Sequence, residues 1–117
     1  MKPLTESQIQ KQCVSWFREQ YPTIERLFFA VGNGGQRNVW TAKIMKDEGV
    51  RAGVADLILL VPQGGYASLC IEMKTPVGKQ SDEQKAFEKA CKEFKSKYVI
   101  CHSLDEFQRE VRKYIGQ

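Results

Sequence analysis

The chain has 117 residues, 42% of them hydrophobic and 27% charged, a balance that suits one globular domain and excludes a disordered or low-complexity protein. Its formal net charge of +4 favours a polyanionic partner without identifying one. The polar start Met1-Lys2-Pro3-Leu4-Thr5-Glu6 lacks the apolar segment of a signal peptide, and no apolar run approaches the roughly 20 residues that span a bilayer, so no membrane association is expected.

Thr5-Glu6-Ser7-Gln8 fits the S/T-x-x-E/Q capping box, which predicts a first helix from Thr5 to about Gln20, stopped by Tyr21-Pro22. Ile9, Cys13, Trp16 and Phe17 form its apolar face at helical spacing. Glu6 stands three residues before Ile9 and seven before Cys13, which puts it on the inward stripe; as an acid in a first turn it also simply complements the helix dipole. Leu27-Phe28-Phe29-Ala30-Val31 reads as a strand, and Gly32-Asn33-Gly34-Gly35-Gln36-Arg37-Asn38 as a glycine-rich loop. Such a loop can bring backbone N–H groups to a phosphate, with Arg37 as charge partner, or serve only as a connector. A second helix over 39–48 ends at Gly49.

The centre of the chain is a pair of apolar strands, the first over 55–62 and the second over 66–74, joined by Gln63-Gly64-Gly65. The first carries Asp56, the second Glu72 and then Lys74. In an antiparallel pair, opposed residues have numbers with a constant sum, and a three-residue loop over 63–65 makes that sum 128, so Asp56 faces Glu72. Their Cβ atoms are then about 4.5–5.5 Å apart, and Lys74 joins them because strand side chains repeat every second residue. A two-residue loop, Gly64-Gly65, would make the sum 129 and send the two acids to opposite faces. The first strand is apolar on both sides, which implies a sheet covered on both faces.

Thr75-Pro76-Val77-Gly78-Lys79-Gln80 is a loop, and Ser81-Asp82-Glu83-Gln84 is a second capping box opening a helix to about Ser96. Phe87, Ala90, Cys91 and Phe94 are its predicted core side; Lys85, Lys89, Lys92 and Lys95 form a basic stripe that is either solvated surface or a nucleic-acid contact. Tyr98-Val99-Ile100-Cys101 is a last strand, and Ser103-Leu104-Asp105-Glu106 a third capping box before the closing helix. The predicted order is αβαββαβα, an α/β fold in a single domain over 1–117. The single histidine, His102, at a strand end reads as structural rather than as a metal ligand. Cys13, Cys70, Cys91 and Cys101 show no C-x-x-C pairing and lie in apolar patterns, so they are expected reduced and buried, in a cytoplasmic protein.

Two opposed carboxylates repel, and one is expected to hold a raised pKa unless a cation lies between them. Mg²⁺ resolves such a conflict, being held by one or two carboxylates with waters and a substrate phosphate completing its shell. With Lys74 to orient water or stabilise developing charge, the set suits phosphodiester hydrolysis. A Glu-x-Lys triplet alone is weak: about one is expected by chance in a chain of this size, and Glu83-Gln84-Lys85 and Glu93-Phe94-Lys95 occur as well. Those two fall on a helix, where i and i+2 do not share a face, whereas Glu72-Met73-Lys74 is on a strand and opposes a second acid. The competing reading is a salt bridge between Lys74 and one acid.

The motifs Glu6 to Gln12, Asn33-Gly34-Gly35 with Arg37, Gly49 with Gly53-Val54-Ala55-Asp56, Glu72-Met73-Lys74, and Ser81-Asp82-Glu83-Gln84 occur together and in order. In this the chain resembles the virus-type replication-repair nuclease domain, VRR-NUC, of the PD-(D/E)XK nuclease superfamily. Ala55 stands where a proline usually precedes the aspartate; that proline is not a metal ligand. The resemblance implies a restriction-endonuclease-like core, a mixed β-sheet flanked by helices. It also implies an Mg²⁺- or Mn²⁺-dependent nuclease in which Asp56, Glu72 and the backbone carbonyl of Met73 hold the metal and Lys74 positions or activates water. By the same resemblance Glu6 completes the acidic cluster and Gln84 supports the site. Asn33, Gly34, Gly35, Arg37 and Lys79 are the candidate nucleic-acid contacts. Stand-alone members, found in phages and bacteria, are similar in organisation to Holliday junction resolvases and tend to dimerise, which implies a homodimer acting on branched DNA. The alternative is a nucleic-acid-binding accessory protein of the same fold that does not cleave, and a sequence-specific restriction-type nuclease is a third reading.

Overall fold

Local capping sets the helix starts. The computed structural model of the chain describes residues 2–32 and 39–116. Helix α1, Glu6–Gln20, begins at Thr5, whose hydroxyl accepts from the Gln8 N–H while the Gln8 side chain accepts from the Thr5 N–H. After a 3₁₀ turn at Glu25–Leu27 come strand β1, Phe28–Ala30, helix α2, Val39–Asp47, strand β2, Leu57–Leu59, and strand β3, Leu69–Met73. Helix α3, Asp82–Glu93, carries the second reciprocal capping box at Ser81 and Gln84. Strand β4, Lys97–Cys101, and helix α4, Leu104–Ile115, complete the order αβαββαβα. The third predicted capping box is only half formed: Ser103 accepts from the Glu106 N–H, but the Glu106 carboxylate accepts from the His102 N–H and pairs with the His102 ring.

The sheet order is β1-β2-β3-β4, with the first two pairings antiparallel and β3 parallel to β4. Odd-numbered residues of β2, β3 and β4 face one large core. Leu57, Leu59, Leu69, Ile71, Met73, Val99 and Cys101 pack there against Ile9, Cys13 and Phe17 of α1 and Phe107, Val111 and Tyr114 of α4. The rings of Phe17 and Phe28 stack with centroids 4.0 Å apart at its centre. Each such fully buried side chain contributes about 1.5–3 kcal/mol relative to exposure. The opposite face carries a smaller cluster, Ala55, Cys70, Cys91 and Tyr98, with Ile58, Phe87 and Ile100, and is covered by α3.

The predicted register is present, but the turn expected to impose it is different. Leu57 pairs with Ile71, Ile58 with Cys70 and Leu59 with Leu69, the register that brings residue 56 opposite residue 72. At the tip, however, Gln63 and Tyr66 exchange backbone hydrogen bonds across Gly64-Gly65, both at positive φ, in a two-residue turn. Three residues then lie between Leu59 and Gln63 and two between Tyr66 and Leu69. The extra residue on the β2 side restores the register, as a bulge does.

Around that bulge the two strands part: the Leu60 N–H donates to Leu27, while Ala67 donates to Lys95 and Lys97 to Ser68. Pro62 lacks an N–H to donate there, and the Val61 carbonyl instead accepts from the Tyr114 hydroxyl at 2.6 Å. The strand predicted over 55–62 therefore shrinks to Leu57–Leu59, and Leu60, expected beneath a helix, is 50% exposed.

Helix α3 also sits differently from its prediction. Its inward stripe is Gln84, Phe87, Glu88 and Cys91; Ala90 is exposed, and Phe94 is 79% exposed. Phe94 is the C-cap with non-helical angles, so its side chain leaves the helical stripe. Lys95 follows at φ 65, a left-handed conformation usually given to glycine. We expect Lys95→Gly to stabilise the protein by about 0.5–1 kcal/mol, the relief of side-chain strain less glycine's larger unfolded entropy, as an increase in unfolding midpoint in denaturant.

Candidate metal centre and nuclease site

Asp56 lies immediately before β2 and is held at both ends. Its backbone carbonyl accepts from the Val31 N–H at 2.9 Å, and its carboxylate accepts from the Met73 N–H at 2.7 Å. The second contact crosses from the start of β2 to the end of β3 and turns the carboxylate towards Glu72. The chain reaches this point through Gly53, at φ 84, which lies against the first turn of α3: a Cβ there would sit 2.5 Å from the Glu83 Cβ and 2.6 Å from its carbonyl carbon. A close approach of backbone to backbone thus sets Asp56 beside the helix end that carries Gln84.

Glu72 belongs to β3 by register, on the face opposite the main core, and is 1% exposed. Its Oε2 accepts from the Gln84 side-chain amide at 3.0 Å and its Oε1 from the Tyr98 hydroxyl at 3.3 Å. Burial pushes its pKa up, and the Asp56 carboxylate adds to this first by hydrogen bonding and then by charge; Lys74 and the Tyr98 hydroxyl act in the opposite direction. The outcome is an acid that holds its proton to about pH 8 rather than releasing it at 4.5. The two carboxylates therefore meet, as the register predicts.

Of the other expected site residues, Lys74 is half-buried and contributes positive potential at Glu72, while Gln84 reaches Glu72 directly. Met73 buries its side chain in the core and engages Asp56 through its N–H. Glu6, expected on the inward stripe, is exposed: the stripe of Ile9 and Cys13 continues to it, but the core ends before it. Among the described residues no three His, Cys, Asp or Glu side chains cluster in a way that would hold a metal, so Glu6 does not join Asp56 and Glu72. Lys79 is exposed in the loop between β3 and α3, and Asn33, Gly34, Gly35 and Arg37 lie outside the described residues. The lysines of the α3 stripe are exposed, with Lys92 paired to Glu88 at 2.9 Å.

Sequence reasoning missed Tyr98 and Gln80. Tyr98 reads only as part of a strand, yet it shares the face of Glu72, and a buried tyrosine requires a partner for its hydroxyl. The cysteines are free and buried as expected, and burial raises the thiols of Cys13, Cys91 and Cys101 to about 12. His102 pairs with Glu106 at 2.9 Å.

The donor chemistry fits a hard divalent cation: two carboxylates meet at a largely buried place, with Glu72 held protonated first by burial and then by Asp56.

Two outcomes follow. Without divalent metal, the folded protein keeps the Glu72 proton up to about pH 8 while the unfolded chain loses it near 4.5, so folding takes up a proton in that window. Stability present below 4.5 should decline as the pH rises through 8, and thermal melts in a chelator should show Glu72→Gln with a flatter profile and a higher melting temperature at the alkaline end. Gly53→Ala should cost at least about 2 kcal/mol, because neither the positive φ nor the Glu83 backbone can yield cheaply, measurable by denaturant unfolding.

The family model for the VRR-NUC domain matches residues 4–105. None of the curated proteins matches the chain. A solved structure described as a VRR_NUC domain protein superposes with a TM-score of 0.86, covering 99% of this chain and 92% of its own at 23% identity, and so shares the fold. Because the family match covers most of the length, with the fold in agreement, the chain belongs to the VRR-NUC family.

Proposed function

We propose that the protein is a metal-dependent endonuclease that hydrolyses DNA phosphodiester bonds, with Asp56 and Glu72 as the metal ligands. The VRR-NUC domain itself implies a nuclease-type function. The observation that carries the metal-dependent reading is the meeting of those two carboxylates, with Glu72 keeping its proton to about pH 8. Such a pair is poorly satisfied alone and well satisfied by a divalent cation. The Met73 carbonyl is the proposed third protein ligand.

When bound, Mg²⁺ or Mn²⁺ would supply charge neutralisation at the scissile phosphate and acidify a water. Met73 fixes Asp56 through its N–H, and Gln84 fixes Glu72 through its amide. Lys74, on the same side and close enough to act on Glu72 electrostatically, orients the attacking water or meets charge developing on the phosphate. Lys79, with Asn33, Gly34, Gly35 and Arg37, is the proposed contact to the DNA backbone. Glu6 is proposed to assist from the first turn of α1 rather than as a member of the ligand pair. Resemblance to resolvase-like stand-alone members supports a homodimer on branched DNA, such as a Holliday junction, in replication, repair or recombination of a phage or bacterium. Four free, buried cysteines support a reducing, cytoplasmic setting. No helix among the described residues is long and apolar enough to cross a membrane.

The test is incubation of labelled linear duplex, single strand, flap and four-way junction with Mg²⁺ or Mn²⁺. We expect the parent protein to cleave at least the branched substrate and to stop in a chelator. Asp56→Asn and Lys74→Ala should each lose at least about 100-fold in rate, the size of effect associated with positioned acid–base and electrostatic groups. Cleavage that survives both substitutions would refute the site, and retention of all four DNAs without cleavage would establish the binding-only reading. Gel filtration reports the dimer.

A further inference from the structure

Glu72 is held by more than the expected Gln84. Its Oε1 accepts from the hydroxyl of Tyr98, a residue of the neighbouring parallel strand β4 that is itself only 7% exposed. A phenol has one proton to give, and where that proton goes depends on what occupies its lone pairs. Here the Gln80 side-chain amide nitrogen donates to the Tyr98 oxygen at 3.2 Å and, with its other hydrogen, to Glu88 Oε1 at 3.0 Å. An ionised carboxylate only accepts, so Glu88 selects the NH₂ side of the Gln80 amide. Glu88 is in turn anchored by Lys92 at 2.9 Å. Each link fixes the direction of the next: Lys92 to Glu88, Glu88 to Gln80, Gln80 to Tyr98, and Tyr98 to Glu72. Among the described residues no buried side-chain nitrogen or oxygen lacks a partner, so the chain is closed.

We propose that Tyr98 is a positioning residue for the metal-ligating carboxylate of Glu72, oriented by Gln80 and Glu88. The proposal rests on the nuclease reading above. Gln84 and Tyr98 donate to different oxygens of Glu72, which fixes the carboxylate plane and the way its remaining side meets Asp56. Outer-shell partners of this kind set ligand orientation, and their loss typically lowers metal affinity or activity about 10–100-fold. The arrangement also explains why α3 turns Gln84, Phe87, Glu88 and Cys91 inward: Phe87 packs edge-on against the Tyr98 ring at 6.2 Å, while the polar residues of the same stripe manage its hydroxyl and its target.

Tyr98→Phe keeps the ring and removes only the donor. In calorimetric titration with Mn²⁺ it should bind about 10-fold or more weakly than the parent, and in cleavage assays it should need correspondingly more Mn²⁺, with the KM for DNA unchanged at saturating metal. Gln80→Leu should shift Mn²⁺ affinity in the same direction by less. Phe87→Leu, which loosens the packing without touching the hydrogen bonds, should lower thermal stability and leave Mn²⁺ affinity as in the parent. If the parent binds Mn²⁺ and cleaves but Tyr98→Phe matches its affinity, the positioning role is overturned while the nuclease reading stands. The positioning role is equally overturned if Phe87→Leu weakens Mn²⁺ binding as much as Tyr98→Phe does. If the parent neither binds Mn²⁺ nor cleaves, both readings fall together.

Discussion

A glutamate buried at 1% exposure beside a second carboxylate is the constraint around which this fold is arranged. Burial and the neighbouring acid both oppose its ionisation, so the free protein keeps it protonated at a pH where an exposed glutamate would be charged. Fixed donors surround it instead of water. Met73 holds Asp56 at its side, Gln84 holds one oxygen, and Tyr98 holds the other. Those three groups come from β3, from the first turn of α3 and from β4, so the local geometry depends on nearly every element on that side of the sheet.

The two faces of the sheet have different roles. The face towards α1 and α4 is a dense apolar core with stacked and edge-on aromatic rings, and most of the stability belongs there. The face towards α3 has few apolar residues and is thin, with Cys91 as the one buried residue of the helix among its described positions. What ties α3 down is a mixture of that small cluster, the contact of Gly53 with Glu83, and the polar chain from Glu88 to Glu72. Through Gln84 the seating of α3 and the placement of Glu72 share one direct contact.

Much of this is legible in the sequence because the signals are local. The capping boxes at Thr5 and Ser81 mark the starts of α1 and α3, and the alternation in β3 puts Glu72 on one face and Ile71 and Met73 on the other. The expected pairing of Asp56 with Glu72 follows from a three-residue loop, whereas the chain uses a two-residue glycine turn and recovers the same register with a bulge near Pro62. No local pattern distinguishes these routes, because the bulge is stabilised by contacts with Leu27, Lys95 and Tyr114 that are distant in sequence. Phe94 and Glu6 depart from expectation for a related reason: periodicity gives the direction of a stripe but not where the helix or the core ends. Tyr98 and Gln80 carry no motif at all, and only the parallel pairing of β3 with β4 brings the tyrosine to the carboxylate.

Stability and the site also share a single register. In β3, Leu69, Ile71 and Met73 enter the core while Cys70 and Glu72 take the opposite face, and β4 repeats this with Val99 and Cys101 against Tyr98 and Ile100. A slip of one residue in β3 would carry Glu72 into the apolar core and expel Ile71 from it, so the alternative pairing is penalised twice, once by lost apolar burial and once by an unpartnered buried carboxyl. The bulge next to Pro62 can therefore absorb the mismatch of the turn without the ladder following it, because every residue from Leu57 to Leu59 is already bound to the correct partner on both sides. The acid that is costly to bury thus helps to specify the pairing that buries it, and the same pairing supplies, through Tyr98 and Gln84, the donors that make it tolerable.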